Sequence, residues 1–328
     1  EKLALRQRTA ERALRESDGG LVWQQTFPNY PALNPPAAAN GKVYVATTGH
    51  QQTFLWAFDA NTGTAVFQNS FSGQWPHVLA PTIRDGRVYT NGGYYGGGVY
   101  AFHDTGGDLQ WAMFSGDDDM STPAVDESRA YYYDGTALVT YDTATGARLS
   151  STIDPYNPGW GYSHHGAPML GLEDSVTTFS GGAFSGRASS SVEQAGTRPL
   201  INFSVANNEV RWRTARTYRT QPATAKGIVY AGSNTPKSFD AIDEATGQVL
   251  WSWVPPPSDQ SFHRNVVVTD NLVFVSTDRA IYALDLTTRQ PVWSYPTPGM
   301  MAISGSGTLY IVEGAMEPTG RLIAISLK

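Results

Sequence analysis

Short apolar stretches separated by turn residues run along most of the chain, and within each stretch apolar and polar residues alternate. Alternation with a period of two is typical of β-strands that bury one face. Many of these stretches end in a turn that starts with Asp and closes with Gly, such as residues 59–63, 142–146 and 243–247. The Asp side chain can bond the turn backbone, and Gly accepts a positive φ. The pattern therefore predicts a series of β-hairpins.

A second register precedes the hairpins and reveals an internal repeat. A proline stands seven residues before a β-rich strand in four copies, and turns such as Asn40-Gly41 and Asp85-Gly86 lie between the two. Each copy is therefore predicted to form four antiparallel strands, and the copies repeat every 36 to 54 residues, roughly. Seven copies follow from the positions Pro36, Pro81, Pro123, Pro168, Pro222, Val266 and Ala302.

The two ends of the chain suggest how these copies close on themselves. The last copy lacks the fourth strand, which usually contains Trp, whereas residues 21–25 resemble such a strand without a copy before it. We therefore predict an all-β fold: a seven-bladed β-propeller of four-stranded antiparallel blades over residues 20–328. Its ring would be closed by the N-terminal strand completing the last blade, which removes free sheet edges. Residues 1–19, rich in Glu, Arg, Leu and Ala, are expected to form an N-terminal helix or a linker remnant.

The hairpin motif resembles that of a known family. The segments AFDANTGTAVF, AIDEATGQVLW and ALDLTTRQPVW look like the PQQ-type repeat of quinoprotein dehydrogenases and outer-membrane assembly propellers. The resemblance covers nearly all of residues 20–328 and implies the propeller fold, with the Trp and Gly positions packing one blade on the next. Quinoprotein dehydrogenases of this type have eight blades and a vicinal cysteine pair. This chain contains no cysteine, and its repeat predicts seven blades, so PQQ binding is not expected.

Composition narrows the classes of function. The chain is 41% hydrophobic, enough for a packed core, and its net charge of −6 comes without a Lys/Arg-rich run, which argues against nucleic-acid binding. No apolar run reaches the length of a transmembrane helix. The absence of cysteine excludes disulfides and a thiolate nucleophile. A start at Glu1 without Met suggests a removed leader, so a secreted or periplasmic protein is expected.

Histidines point to a candidate site. In a propeller, the innermost strands all start at one face, and the loops after each second strand return to it. The repeat register places five of the six histidines at this face, and His103 at a turn where other copies have Asp. Imidazole titrates near neutral pH and serves as base, acid or metal ligand. The five are His50, His77, His164, His165 and His263.

The residue types at this face favour an enzyme that acts on an anionic carbohydrate, of the polysaccharide lyase type. Removing a proton beside a uronate carboxylate requires a cation to neutralise the charge and a His or Tyr to transfer the proton. An oligosaccharide or other small-molecule ligand is expected at the same face. The catalytic candidates are His77, His164, His165, His263, Tyr94 and Tyr218; the substrate-binding candidates are Arg219, Arg264, Lys237, Tyr95, Trp75, Trp160 and His50.

Other readings of the sequence remain open. Asp118 and Asp119 could offer oxygen ligands to Ca²⁺, although no cofactor is required by the lyase hypothesis. A metal-assisted hydrolase would use His50, His77 and His165, and a glycoside hydrolase would use paired carboxylates. The principal alternative is a non-catalytic protein-interaction or sensor propeller resembling the outer-membrane assembly lipoprotein, which would have a protein partner.

Overall fold

A computed structural model describes residues 2–7, 10–30, 32–48, 53–73, 80–91, 98–114, 122–157, 167–181, 198–314 and 320–327. Every regular element in these ranges is a β-strand. Each of the seven predicted copies forms an antiparallel sheet, so the all-β fold class with seven propeller blades is confirmed.

The chain divides into two compact parts, residues 1–168 with 181–191, and residues 169–180 with 192–328. The first part contains an N-terminal sheet and blades 1 to 3. The N-terminal sheet has β1 (Lys2–Gln7), β2 (Ala10–Arg15) and β3 (Leu21–Thr26); blade 1 has β4 (Ala32–Leu33), β5 (Ala37–Ala39), β6 (Lys42–Thr48), β7 (Phe54–Asp59) and β8 (Ala65–Ser70); blade 2 has β9 (Thr82–Arg84), β10 (Arg87–Asn91), β11 (Gly98–His103) and β12 (Leu109–Phe114); blade 3 has β13 (Ala124–Val125), β14 (Arg129–Tyr133), β15 (Ala137–Asp142) and β16 (Arg148–Ile153).

The second part contains blades 4 to 7, and the described residues of blade 7 form three strands. Blade 4 has β17 (Met169–Leu170), β18 (Ser175–Phe179), β19 (Arg198–Ser204) and β20 (Glu209–Tyr218); blade 5 has β21 (Ala223–Ala225), β22 (Ile228–Asn234), β23 (Lys237–Asp243) and β24 (Val249–Trp253); blade 6 has β25 (Phe262–Val268), β26 (Leu272–Thr277), β27 (Ile281–Asp285) and β28 (Pro291–Tyr295); blade 7 has β29 (Met300–Ile303), β30 (Thr308–Glu313) and β31 (Arg321–Ser326).

The Trp of an outer strand packs on the turn of the next sheet. In blade 4, the indole N–H of Trp212 donates to the carbonyl of Glu244 in blade 5, at 2.8 Å. The same turn contains Gly247, whose φ is 72°, and a Cβ on it would lie 2.6 Å from the Trp212 ring. Trp111 and Gly146 repeat the arrangement between blades 2 and 3. The motif is therefore a docking pair: glycine gives both the positive φ and the space for the indole.

Apolar side chains fill the space between neighbouring sheets. Tyr44 and Phe67 of blade 1 pack with Val88 and Phe102 of blade 2 in one buried cluster. In the second part, a corresponding cluster contains Phe239 of blade 5 and Phe262 of blade 6, together with other apolar residues. The core thus consists of a series of layers between sheets, each formed by alternating residues of two sheets.

Residues 1–19 do not form the predicted helix. Most of them belong to β1 and β2, which pair in antiparallel register from Lys2↔Arg15 to Gln7↔Ala10. Ala, Leu, Arg and Glu favour helices in isolation, but strand pairing overrides this weak preference. The turn after β2 repeats the hairpin turn of the blades. The N–H of Gly19 donates to the Arg15 carbonyl at 2.8 Å, as that of Gly63 does to Asp59 at 2.9 Å.

The predicted closing strand pairs with the strand directly before it. Residues 21–26 form β3, which pairs with β2 in register from Ala10↔Thr26 to Leu14↔Leu21. Near the C-terminus, β31 pairs with β30 from Thr308↔Ser326 to Glu313↔Arg321. Since a β-strand has two edges, the pairing with β2 uses only one edge of β3, and completion of the last blade by the N-terminal strand stays a prediction.

Side-chain and backbone bonds join the innermost strands of blades 5, 6 and 7. The N–H of Gln221 donates to the Arg264 carbonyl at 2.7 Å, and the N–H of Val266 donates to the Gln221 carbonyl at 3.0 Å. Asn265 then bonds both backbone groups of Met301, at 2.8 and 2.9 Å. These bonds fix the positions at which β21, β25 and β29 begin.

Candidate functional site

Many of the predicted site residues lie outside the described residues. The five that are described all belong to the second part of the chain, at the ends of strands in blades 4, 5 and 6. The described candidates are Tyr218, Arg219, Lys237, His263 and Arg264; those outside the described residues are His50, Trp75, His77, Tyr94, Tyr95, Asp118, Asp119, Trp160, His164 and His165.

The structure brings Arg219 and Arg264 to neighbouring strand starts. The N–H of Arg219 donates to the Gly232 carbonyl at 2.7 Å, and Gln221, two residues later, bonds the carbonyl of Arg264. Arg264 has a φ of 70° and lies in a bulge of β25 between His263 and Val266. A non-glycine residue with positive φ is strained, and bulges often redirect a side chain. Both arginines are partly exposed, and the Nε atom of Arg264 is buried.

His263 is held in place by its neighbours in blade 5. Asn234 donates to the Phe262 carbonyl at 3.1 Å, and the N–H of Phe262 donates to the Asn234 side chain at 2.7 Å. This reciprocal pair anchors the start of β25, where His263 pairs with Ser276. His263 is partly buried, next to Arg264.

Tyr218 is not at the surface, contrary to the expectation. Its side chain is 1% exposed, and its hydroxyl donates to Oδ2 of Asp240 at 3.0 Å. Burial and the charge of Asp240 raise the pKa of Tyr218 above its ordinary value. Burial and the hydrogen bond to a carboxylate argue against contact between Tyr218 and a substrate, and they place its hydroxyl where it stabilises the end of β20. Its catalytic role stays a prediction with a weakened case.

Asp240 is a functional candidate that the sequence reasoning missed. Its carboxylate is fully buried and accepts hydrogen bonds from Arg216 at 2.7 Å, Ser252 at 2.7 Å and Tyr218 at 3.0 Å. In the register of the blades, its position is taken by apolar or aromatic residues elsewhere, such as Trp56 in blade 1 and Val139 in blade 3. An Asp between apolar residues in a predicted strand was the signal that could have identified it.

Lys237 is committed to a backbone group. Its ammonium donates to the Asp259 carbonyl, which joins blade 5 to the loop before blade 6. The Asp259 carboxylate is buried and accepts from Thr277 at 2.7 Å, Ser258 at 2.8 Å and Tyr282 at 2.8 Å. Burial alone would raise the pKa of Asp259, but these hydrogen bonds and the nearby charge of Arg279 lower it. Lys237 therefore stabilises a loop, which weakens its case as a substrate-binding residue.

Within the described ranges, no group of three or more His, Cys, Asp or Glu side chains is arranged to hold a metal ion. Among the same residues, no helix is long and apolar enough to cross a membrane.

Comparison with known proteins identifies the repeat. The family model described as "Outer membrane protein assembly factor BamB" matches residues 8–253 and, in an overlapping second match, residues 138–328. Among solved structures, BamB from Moraxella catarrhalis has a TM-score of 0.69 at 15% identity, covering 98% of this chain and 95% of that one. A europium-containing methanol dehydrogenase has a TM-score of 0.67 at 13% identity, covering 95% and 80%. At such identities these structures show the fold alone.

Curated relatives resemble only a segment of the chain. The quinone alcohol dehydrogenase, dehydrogenase subunit, of Acetobacter aceti is 31% identical over 121 residues, 34% of this chain and 16% of that protein. The corresponding subunits of Gluconacetobacter polyoxogenes and Komagataeibacter europaeus are 32% identical over 138 residues, 38% of this chain and 19% and 18% of theirs. The chain thus matches less than a fifth of the length of these relatives.

These comparisons overturn two expectations. The polysaccharide lyase hypothesis is wrong, because the family model and the relatives point to outer-membrane assembly factors and quinone dehydrogenases. The associated expectations of carbohydrate binding and secretion find no support there either. The argument against a quinone cofactor is also contradicted, since the curated relatives that match a segment of the chain are quinone alcohol dehydrogenase subunits. The predicted blade number and the absence of cysteine were insufficient grounds for excluding a quinone cofactor.

Proposed function

Since the chain belongs to the outer membrane protein assembly factor BamB family, we propose that it is a non-catalytic, protein-binding β-propeller that acts in the assembly of outer-membrane proteins. The observation that carries this proposal is the family match, which extends from residue 8 to residue 328. A periplasmic location at the outer membrane accords with this role.

The partner-binding surface in this proposal is the end of blades 5 and 6 that presents Arg219, His263 and Arg264. Backbone bonds between the two blades fix the strand starts that present these side chains. A preorganised surface loses little conformational entropy on binding. Because the surface is cationic while the whole chain has a net charge of −6, an acidic partner would be drawn to this end.

Site-specific photo-crosslinking tests the proposal in cells. A benzoylphenylalanine would replace Arg219 in one variant, Arg264 in a second, and Arg148, an exposed arginine on β16, in a matched control. We expect the first two to crosslink to a component of the outer-membrane assembly machinery, identified by mass spectrometry, and the control not to. In a strain lacking the gene, the Arg219→Glu/Arg264→Glu variant should restore folded outer-membrane proteins less well than the parent. Equal restoration and no selective crosslink would refute the proposal.

A second candidate function rests on the relatives that are quinone alcohol dehydrogenase subunits. PQQ is an anion with carboxylate groups, and the guanidinium groups of Arg219 and Arg264 are of the chemical type that binds carboxylates. They would hold its carboxylates, and the quinone when bound would accept two electrons from an alcohol. Incubation with PQQ, followed by gel filtration and absorbance, tests retention of the cofactor. This function would be favoured over the first by two results: the parent retains PQQ and reduces a dye in the presence of ethanol, and the Arg219→Glu/Arg264→Glu variant does not retain PQQ.

A further inference from the structure

The outer strand of blade 4 contains an unusual bulge. β20 is the longest described strand, and it pairs with β19 through Ile201↔Arg213 and then through Pro199↔Thr217. Three residues, 214–216, thus lie opposite Leu200 alone. The hydroxyl of Thr214 accepts from the Leu200 N–H at 2.9 Å and donates to the Arg216 carbonyl at 2.8 Å. The side chain therefore stabilises the bulge, which redirects Arg216.

The redirected Arg216 side chain crosses from blade 4 to blade 5. Its Nη1 donates to Oδ2 of Asp240 at 2.7 Å and to the Ser238 hydroxyl at 3.1 Å. Both bonds use Nη1, and over the described residues Nε and Nη2 have no hydrogen-bond partner. The side chain is 38% exposed whereas that of Asp240 is fully buried. One corner of the guanidinium is thus anchored, and the remaining donors are available to a ligand.

Packing alone does not explain the buried carboxylate. Burying a charge costs desolvation energy, and apolar residues of similar volume commonly serve stability as well as a buried ion pair does. Blade 1 has Trp56 and blade 6 has Tyr282 at the position of Asp240. Asp240 also accepts from Ser252 and Tyr218, so its own orientation is fixed by three donors. Such an arrangement restricts where Arg216 can point.

We propose that Arg216 is a carboxylate-binding residue that selects acidic side chains of the partner, and that Asp240 is its positioning residue. This inference rests on the proposed function, in which a protein partner binds near Arg219, three residues after Arg216. A guanidinium donates two parallel hydrogen bonds to a carboxylate, which lysine cannot do. Preorganisation by Asp240 lowers the entropy lost when the partner binds. Arg211 and Arg213 precede it on β20, so arginines occupy four of residues 211–219.

Fluorescence anisotropy with a labelled hexaglutamate peptide, amidated at its C-terminus, tests this assignment. We expect Arg216→Lys, which keeps the charge, and Asp240→Asn, which keeps the shape, each to weaken binding by roughly tenfold. The double variant should bind as each single variant does, because both changes remove the same oriented group. Arg148→Lys, the matched control, should bind as the parent does. A hexaglutamine peptide with a free C-terminus separates two modes of binding. If the protein recognises acidic side chains, this peptide should not bind. If the protein binds a terminal carboxylate, it should.

The outcomes of these binding experiments test the carboxylate-binding role of Arg216 and Asp240 separately from the proposed function. Unchanged peptide binding by Arg216→Lys, or additive losses in the double variant, would overturn the role of Arg216 and Asp240. Binding of the hexaglutamine peptide with the affinity of hexaglutamate would overturn selection of acidic side chains. A thermal unfolding midpoint equal to that of the parent shows that a variant is folded, and Asp240→Leu provides a second variant if Asp240→Asn is not. If peptide binding requires Arg216 but Arg219 crosslinks to no assembly component, the carboxylate site stands and the proposed function fails.

Discussion

The carboxylate of Glu244 occupies the space that a side chain on Gly171 would fill. Glu244 belongs to the turn of blade 5, is 3% exposed, and accepts a hydrogen bond from the Leu172 N–H at 3.0 Å. A Cβ built on Gly171 would overlap its Oε1. The junction of blades 4 and 5 therefore depends on a glycine that the repeat motif does not contain.

Gly171→Ala should destabilise the protein by about 1–3 kcal/mol, because the new methyl group displaces a buried carboxylate from its only backbone donor among the described residues. Urea unfolding followed by Trp fluorescence measures the change. Gly305→Ala is the matched control, since a Cβ at Gly305 meets nothing within 4 Å, and it should lie within about 1 kcal/mol of the parent. Equal stability of the two variants would contradict this account of the junction.

A second pair of glycines separates backbone strain from lost packing space. Gly41 and Gly247 have the same φ of 72°, but a Cβ meets nothing at Gly41 and lies 2.6 Å from the Trp212 ring at Gly247. Gly41→Ala should cost about 1 kcal/mol from the left-handed backbone alone, and Gly247→Ala about 2–4 kcal/mol. Denaturant unfolding compares them. A difference below 0.5 kcal/mol, roughly, would show that Trp212 adapts without loss.

The pKa of Asp259, lowered in the folded protein, predicts a specific pH dependence. A carboxyl whose folded pKa lies below its unfolded value stabilises the fold at pH values above the unfolded pKa, and this contribution is lost as pH falls through the folded pKa. Asp259→Asn should therefore be less stable than the parent at pH 7, by about 1–3 kcal/mol. The difference should shrink below pH 4, roughly, where the parent takes up a proton. Urea unfolding at several pH values measures it, and a constant difference would contradict the assignment.

Tyr282 offers an independent readout of the same carboxylate. Burial and the hydrogen bond to Asp259 raise the pKa of Tyr282 to about 12. Removing the charge should lower this pKa, so that the Asp259→Asn variant ionises one tyrosine at lower pH than the parent. The difference spectrum of tyrosinate between the two proteins follows this, with Asp259→Asn/Tyr282→Phe as the control that should lack the extra ionisation. An identical titration in the parent and the Asp259→Asn variant would show that Asp259 does not act on Tyr282.

The repeat made the blades predictable, because turn residues and alternation are local properties of the sequence. One copy escaped notice. Residues 13–23 read ALRESDGGLVW and follow the same pattern, but Arg15 replaces the Asp that usually opens the turn. The composition of that segment favoured a helix, and pairing with β3 decided otherwise. A motif search that tolerated this substitution would have found the N-terminal sheet.

The site was less predictable than the blades. The register placed Arg219 and Arg264 near adjacent strand starts, and their role in a site stays a prediction. It also treated Tyr218 and Lys237 as surface groups, whereas both are committed to hydrogen bonds within the fold. Whether a residue near a strand end faces solvent depends on bulges, and the bulge opposite Leu200 leaves no mark in the hydrophobic pattern. The arginine that it redirects, Arg216, was therefore missed. Function was misassigned because residue types alone do not define a reaction.

The docking of Trp212 on Gly247 has a consequence for how such chains change length in evolution. The motifs of blades 1 and 2 each contain both halves of such a contact: a turn glycine that receives a ring from the sheet before, and a ring that packs on the turn glycine of the next blade. A duplicated copy therefore arrives with an acceptor and a donor that already match its new neighbours. Gain or loss of a whole copy of this kind preserves the ring-on-glycine contacts with both neighbouring blades, whereas an insertion within a copy disturbs the contacts on both of its sides.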